Sequence, residues 1–215
     1  MKILFFGDSI TDAGRVRDDN ANLERLGYGY VKEIYDRFEK SCPDKHEIIN
    51  RGISGNRTVD LLARVKCDCT NLKPDLISIL IGVNDVWHGV KYNNGVRIEL
   101  FEKVYRLVLE EIKLALPNVK LIMCEPFVLK GFNTENVPEI PDQYEQFKAV
   151  YDYAKVVEKL AKEYQIPLVY LQDKFTENGK KYGDEKYLFD GVHPAEGGIK
   201  LLASEWLKTF EKYFN

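Results

Sequence analysis

The chain has 215 residues, of which 45% are hydrophobic and 30% charged, an ordinary soluble globular mix that is long enough to bury a sizeable core. Its net charge of -3 carries no basic excess. The one positive run, Arg15-Val16-Arg17, is answered at once by Asp18-Asp19, so the footprint of a nucleic-acid binder is missing. No stretch approaches a membrane span, and the apolar run after Met1-Lys2 is too short for the core of a secretory leader.

The first apolar run, Ile3-Leu4-Phe5-Phe6, predicts a strand buried on both faces, and it leads straight into Gly7-Asp8-Ser9-Ile10-Thr11. Residues 12–29 read as irregular. Residues 30–40 set Val31, Ile34, Tyr35 and Phe38 on one helical face. A second strand over 47–50 ends in Asn50-Arg51-Gly52-Ile53-Ser54-Gly55-Asn56, and a short helix covers 58–65. A third strand over 76–81 meets Gly82-Val83-Asn84-Asp85, with residues 86–96 irregular. The helix predicted over 97–116 carries Leu100, Val104, Leu107, Val108 and Ile112 at helical spacing. A fourth strand (119–124), an irregular stretch (127–141), a helix (144–164), a fifth strand (167–171) and an irregular stretch (172–189) follow. Asp190-Gly191-Val192-His193-Pro194 then precedes a helix over 195–213.

Strands alternating with helices require crossover connections and a parallel sheet. The expectation is one three-layer α/β domain over residues 1–215, five strands with helices on both faces. The irregular stretches follow strands and so gather at the carboxyl edge of the sheet, where ligands bind in such folds. The four cysteines, Cys42, Cys67, Cys69 and Cys124, lack the spacing of a zinc or redox site and read as structural thiols in a reducing cytoplasm, Cys124 buried. No P-loop lysine motif and no complete dinucleotide fingerprint occurs, so no cofactor and no metal is expected. The Gly-x-Ser-x-Gly elbow of the α/β-hydrolase fold is also missing.

Acyl transfer needs a nucleophile, a base, a group that orients the base, and donors for the oxyanion. Ser9, at the exit of the first strand, is the candidate nucleophile; the plain alternative is that Asp8-Ser9 only caps a turn. His193 has an Asp three residues before it, so the Asp190 carboxylate can turn back to Nδ1 and leave Nε2 for the serine. The alternative is a lead-in to the last helix with Pro194 at its first position. Asp85 and His88 copy that spacing and form a competing dyad, while His46 has no such partner. Gly55 and Asn84 are candidate oxyanion donors, or else ordinary turn residues. What favours the functional reading is convergence, because every block follows a predicted parallel strand.

These blocks resemble the SGNH (GDSL-type) hydrolases nearly end to end, with Ile10 where the name-giving motif has Leu. The resemblance implies a flavodoxin-like sheet in the order 2-1-3-4-5. It also implies Ser9 as nucleophile, His193 as base, Asp190 as its orienter, and an oxyanion hole made of the Ser9 N–H, the Gly55 N–H and the Asn84 amide. Thr11-Asp12-Ala13-Gly14-Arg15, Gly27-Tyr28-Gly29-Tyr30-Val31, Gly52-Ile53-Ser54-Gly55-Asn56 and Ile81-Gly82-Val83-Asn84-Asp85-Val86-Trp87 look like the intracellular carbohydrate acetyl esterases, acetylxylan esterases among them.

The function expected is hydrolysis of short acyl esters, acetyl esters of sugars first, with no nucleic-acid or membrane partner and with self-association left open. Asp8, Trp87, Tyr92 and Tyr187 are substrate-binding candidates, and Tyr182 joins them as an aromatic face for a sugar ring. A lipid- or thioester-directed acylhydrolase would want a long apolar trough, but the first loop carries Arg15, Arg17, Asp18, Asp19, Glu24 and Arg25. A non-catalytic binding module is disfavoured because none of the required residues is missing.

Overall fold

The computed structural model describes residues 1–18 and 22–214, so Asp19 of the charged first loop lies outside the described residues. The strands are β1 (Lys2–Gly7), β2 (Glu47–Gly52), β3 (Leu76–Leu80), β4 (Lys120–Cys124) and β5 (Leu168–Val169). All neighbours pair parallel, in the order β2-β1-β3-β4-β5. The helices are α1 (Ser9–Asp12), α2 (Tyr30–Ser41), α3 (Thr58–Asp68), α4 (Val83–Tyr92), α5 (Ile98–Ala115), α6 (Gln143–Phe147), α7 (Val150–Glu163), α8 (Gln172–Tyr182) and α9 (Glu196–Phe214). Helices α2 and α9 pack together on one face of the sheet, and α3, α5 and α7 form the layer on the other.

Strand β3 shows why the sheet is internal. Leu76, Ile77, Ile79 and Leu80 are all buried, each side chain worth about 1.5–3 kcal/mol when taken from water. The polar residue among them, Ser78, is also fully buried, and its hydroxyl accepts the indole N–H of Trp206 from α9 at 2.9 Å. That bond removes the desolvation cost of a hydroxyl in the core and fixes α9 over the sheet centre. Trp206 packs against Phe5 with ring centroids 5.1 Å apart.

Register positions the functional edge. Gly7 pairs with Gly52 on one side and with Leu80 on the other, and Leu80 pairs with Cys124, which pairs with Val169. The chain therefore leaves β1, β2 and β3 at one level, and Ser9, Gly55 and Asn84 follow directly. The order switches direction around β1 and β3, the crevice position at which α/β sheets bind ligands.

Two stretches read as irregular are largely helical. Residues 86–96 belong mostly to α4, whose first turn buries Val83, Asn84, Asp85 and Val86. The Gly-Asn composition there suits a turn, and tertiary burial overrides it. Residues 172–189 include α8, which buries only Gln172, Phe175 and Gly179, too sparse an apolar face to announce a helix. The helix expected over 144–164 breaks at Lys148-Ala149 into α6 and α7. Helix α9 begins at Glu196, so Pro194 stands before it and not at its first position. Cys124 is fully buried, as is Cys69. Among the described residues, no helix is long and apolar enough to cross a membrane.

Candidate active site

Ser9 opens α1, a single turn set on the carboxyl end of β1. Asp8 caps it, with Oδ1 accepting the Ile10 N–H at 2.9 Å. The cap is made by Asp8, so it does not use the Ser9 hydroxyl. Gly52 lets this turn sit against β2, because a side chain there would run into the Asp12 backbone. Asn50 secures the packing by donating to the carbonyls of Thr11 (2.7 Å) and Leu26 (2.8 Å).

The Ser9 hydroxyl lies 2.8 Å from His193 Nε2, and His193 Nδ1 lies 2.6 Å from Asp190 Oδ2. Asp190 Oδ1 accepts the backbone N–H groups of Val192 (2.9 Å) and His193 (2.7 Å), and Asn133 donates to Oδ2 at 2.8 Å. Burial disfavours charge on Asp190, but the His193 ring and these N–H donors outweigh it and hold the carboxyl down at about 2. For His193, burial pulls the pKa down, and the bond and charge of Asp190 outweigh that and raise it. The imidazole is thus held in the tautomer that presents Nε2 to the serine, and it can carry a proton beside an ionised carboxylate.

Gly55 has a φ of +81°, a conformation that favours glycine, and a Cβ built on it would meet nothing within 4 Å, so backbone conformation and not crowding calls for glycine there. Asn84, in the first turn of α4, is 5% exposed and donates from Nδ2 to the Asn56 carbonyl at 3.0 Å. Asp85 accepts the Thr58 N–H and hydroxyl, the latter at 2.5 Å, so it clamps α3 to α4. The competing dyad is thereby excluded: Asp85 is committed to Thr58, and the His88 ring sits edge-on to Tyr92. Among the described residues, neither the Ser9 nor the Gly55 N–H has a protein acceptor, which leaves both able to serve an oxyanion.

Of the aromatic candidates, only Trp87 reaches this cluster, with its ring centroid 5.9 Å from that of His193. Tyr92 ends α4, 67% exposed and carried away from the site by the length of the helix. Tyr182 and Tyr187 stack on each other and line a different surface depression with Asn178, Glu196 and Lys200. Asp8 is buried behind Ser9, where it caps α1; among the described residues its Oδ2 has no partner, and burial pushes the carboxyl up to about 7.

Four participants escaped the sequence reading. Asn133 lies in an irregular stretch with no pattern to single it out. Arg64, on α3, donates to the carbonyls of Gly7 (2.9 Å) and Arg51 (2.8 Å) and to the Asn56 side chain (2.7 Å). Phe189 stacks on the His193 ring at 5.8 Å and 22°. Tyr28 lines a pocket of about 320 Å³ together with Ser9, His193, Phe189, Ile199 and Ser54. Two signals were available: Phe189 stands directly before Asp190, and Tyr28 lies in the Gly27-Tyr28-Gly29-Tyr30-Val31 block.

Residues 5–201 match the model of the GDSL-like Lipase/Acylhydrolase family. An acetylxylan esterase from Geobacillus stearothermophilus is 34% identical over 214 residues, covering 96% of this chain and 92% of that protein. The crystal structure of that organism's acetylxylan esterase Axe2 superposes with a TM-score of 0.83 at 32% identity, covering 97% of this chain and 93% of the other. Forms of Axe2 with a serine, an aspartate or a histidine replaced by alanine are described as catalytic mutants. A Parabacteroides merdae protein named for its likeness to GDSL lipases superposes with a TM-score of 0.86 at 34% identity, covering 98% of this chain and 95% of the other. Sheet order, the position of the serine block and these likenesses agree: the chain belongs to the GDSL (SGNH) hydrolase family of carboxylic-ester hydrolases.

Proposed function

We propose that the protein removes acetyl groups from acetylated carbohydrates through Ser9, His193 and Asp190. The observation that carries this reading is the unbroken chain from Asp190 Oδ2 through the imidazole to the Ser9 hydroxyl, 2.6 Å and 2.8 Å, open to a pocket. Ser9 Oγ attacks the ester carbon while His193 Nε2 takes its proton, with Asp190 stabilising the imidazolium. The oxyanion is met by the N–H groups of Ser9 and Gly55 and by the Asn84 amide. Collapse breaks the bond from carbon to the alcohol oxygen, and His193 returns its proton to that oxygen. Water, deprotonated by His193, then attacks the acyl-enzyme and releases the acid and free Ser9.

The acetyl-sugar substrate is supported by the acetylxylan and acetyl-xylooligosaccharide esterases among the relatives. The test is an acetate-release screen on acetylated xylo-oligosaccharides, chitin fragments and simple acetyl sugars, run beside p-nitrophenyl esters of increasing chain length. Acetyl-sugar turnover with acetyl preferred is expected, and Ser9→Ala should abolish both turnover and labelling by an organophosphate. A preference for long chains would move the protein to the lipid-directed acylhydrolases, and wild type without turnover would make it a binding module.

A further inference from the structure

The pocket beside Ser9 has a direction. Its lining includes Ser9, His193 and Pro194, together with Ile10, Ala13, Gly14, Tyr28, Ser54, Phe189 and Ile199, but neither Gly55 nor Asn84. The three directions around a bound ester are chemically distinct. The carbonyl oxygen must point to the oxyanion donors. The alcohol oxygen must lie on the His193 side, because Nε2 returns the proton to it. The acyl chain takes the remaining direction. A pocket that contains the base but none of the Gly55–Asn84 donors therefore lies on the alcohol side.

Two aromatic rings rim it. Tyr28 is 71% exposed and Phe189 is 53% exposed, so both rings are open to a molecule bound in the pocket. Both are held from the backbone. Tyr28 donates its N–H to the Ala13 carbonyl at 2.9 Å, at the end of the turn that bears Ser9. Phe189 donates its N–H to the His193 carbonyl at 3.0 Å and stacks on that imidazole. Each ring is thus one hydrogen bond from the reacting machinery, the rigid mounting that a specificity element needs. Gly14 lies in the same lining beside the Tyr28 ring. Ser54 adds a hydroxyl within the same lining. Trp87, half-buried one helical turn from Asn84, is not part of that lining, although its ring centroid is 5.9 Å from that of His193.

We infer that Tyr28 and Phe189 form the alcohol-side subsite, two aromatic faces that receive a ring of the leaving alcohol, a pyranose in the carbohydrate reading. The inference deepens the proposed function and rests on its Ser9–His193 chemistry. Apolar ring faces pack on aromatic rings, with hydroxyls left to solvent and to Ser54. The subsite then selects the alcohol and leaves acyl length to the other side of Ser9.

The test uses Tyr28→Ala, Phe189→Ala and the double variant on four esters: an acetylated methyl xyloside, cyclohexyl acetate, methyl acetate and methyl butyrate. Ratios are compared, so that a general loss from disturbing His193 cancels. The ratio of kcat/KM on the acetylated xyloside to that on methyl acetate should fall about three- to tenfold per ring, mostly through KM. The butyrate-to-acetate ratio should stay within about twofold of wild type. A changed butyrate-to-acetate ratio with no change in the xyloside ratio would assign the groove to the acyl chain and overturn the inference, as would two unmoved ratios. If wild type prefers cyclohexyl acetate to the xyloside ester, the carbohydrate reading fails. A fall on cyclohexyl acetate in the variants would even then uphold the groove as the alcohol subsite, and no fall would remove it.

Discussion

The Asn84 side chain donates to the Asn56 carbonyl at 3.0 Å, so one of its two amide hydrogens is committed to the loop that carries Gly55. The second is available to the proposed oxyanion, and Asn84 and the Gly55 loop hold each other in place. Asn84→Ala should lower kcat on a short acetyl ester by about 10²–10³-fold. Asn84→Asp, equal in size but without the donor, should be no better. Steady-state kinetics beside thermal melts check this; near-wild-type kcat in folded Asn84→Ala would put the donor elsewhere.

Arg64 ties the ends of β1 and β2 to Asn56 through three hydrogen bonds, and its guanidinium lies 4.4 Å over the Phe6 ring. Lysine cannot reproduce that planar fork. Arg64→Lys and Arg64→Ala should each cost about 2–3 kcal/mol, a fall in Tm of roughly 4–12 °C. Residual activity should drop through kcat as the Gly55 loop loosens. Calorimetry and kinetics on the same preparations decide, and an unchanged Tm would refute the tie.

The base must be neutral to accept the serine proton, and Asp190 raises the pKa of His193. The rate should therefore climb with pH through one ionisation whose midpoint lies above the ordinary histidine value near 6.5. Stability runs the other way. The protonated His193–Asp190 pair adds stability below the ordinary histidine pKa, and that contribution is lost as pH rises through the raised one. Asp190, depressed to about 2, adds stability above the usual carboxylate range that is lost as pH falls toward 2. A kcat/KM profile together with melts of wild type and His193→Ala tests both signs.

Asn133 donates to Asp190 Oδ2, the oxygen that also takes the His193 N–H. Without that donor the carboxylate becomes more basic and favours the imidazolium more strongly. Asn133→Ala should move the midpoint of the rate profile upward and lower kcat less than Asn84→Ala does. A merely structural role would leave the midpoint in place.

Burial pushes the Asp8 carboxyl up to about 7 from its ordinary 3.8. The folded state then holds a proton that the unfolded chain releases, so this group makes stability fall as pH rises between about 4 and 7. Asp8→Asn keeps an oxygen to cap Ile10 and removes the titration. Its Tm should lose part of that downward slope, with the remainder shared by Asp85, which burial also pushes up to about 7, and by His193, whose pKa Asp190 raises. Melts at pH 5 and pH 8 measure the difference, and a slope identical to wild type would sink the assignment.

The five strands were legible because continuous Ile, Val and Leu runs alternate with helical spacing, while their order came from the family resemblance. Ser9, Gly55 and Asn84 stood out because each follows a strand, and Asp190 and His193 through their spacing, since α8 intervenes between β5 and them. Helices α4 and α8 were not. Asn84 and Asp85 at the head of α4 look like turn residues until Thr58 and Asn56 are seen to satisfy them. Asn133 and Arg64 act through contacts 57 positions away in sequence, beyond what local spacing can express. Tyr28 and Phe189 were not singled out among the aromatics, and it is the shape of the pocket that separates them from Tyr92 and Tyr182.

Ser9 and His193 meet across 184 positions of chain. A ribosome adding about 5–20 residues per second exposes the serine first and needs on the order of ten to forty seconds more to reach the histidine. Through that interval the hydroxyl has no base beside it and is as inert as any surface serine. Trp206, whose indole seats the last helix on Ser78 and Phe5, follows later still. The proposed hydrolysis therefore has to wait until His193 and the helix that carries Trp206 have been made, and a chain cut short of them carries Ser9 unarmed.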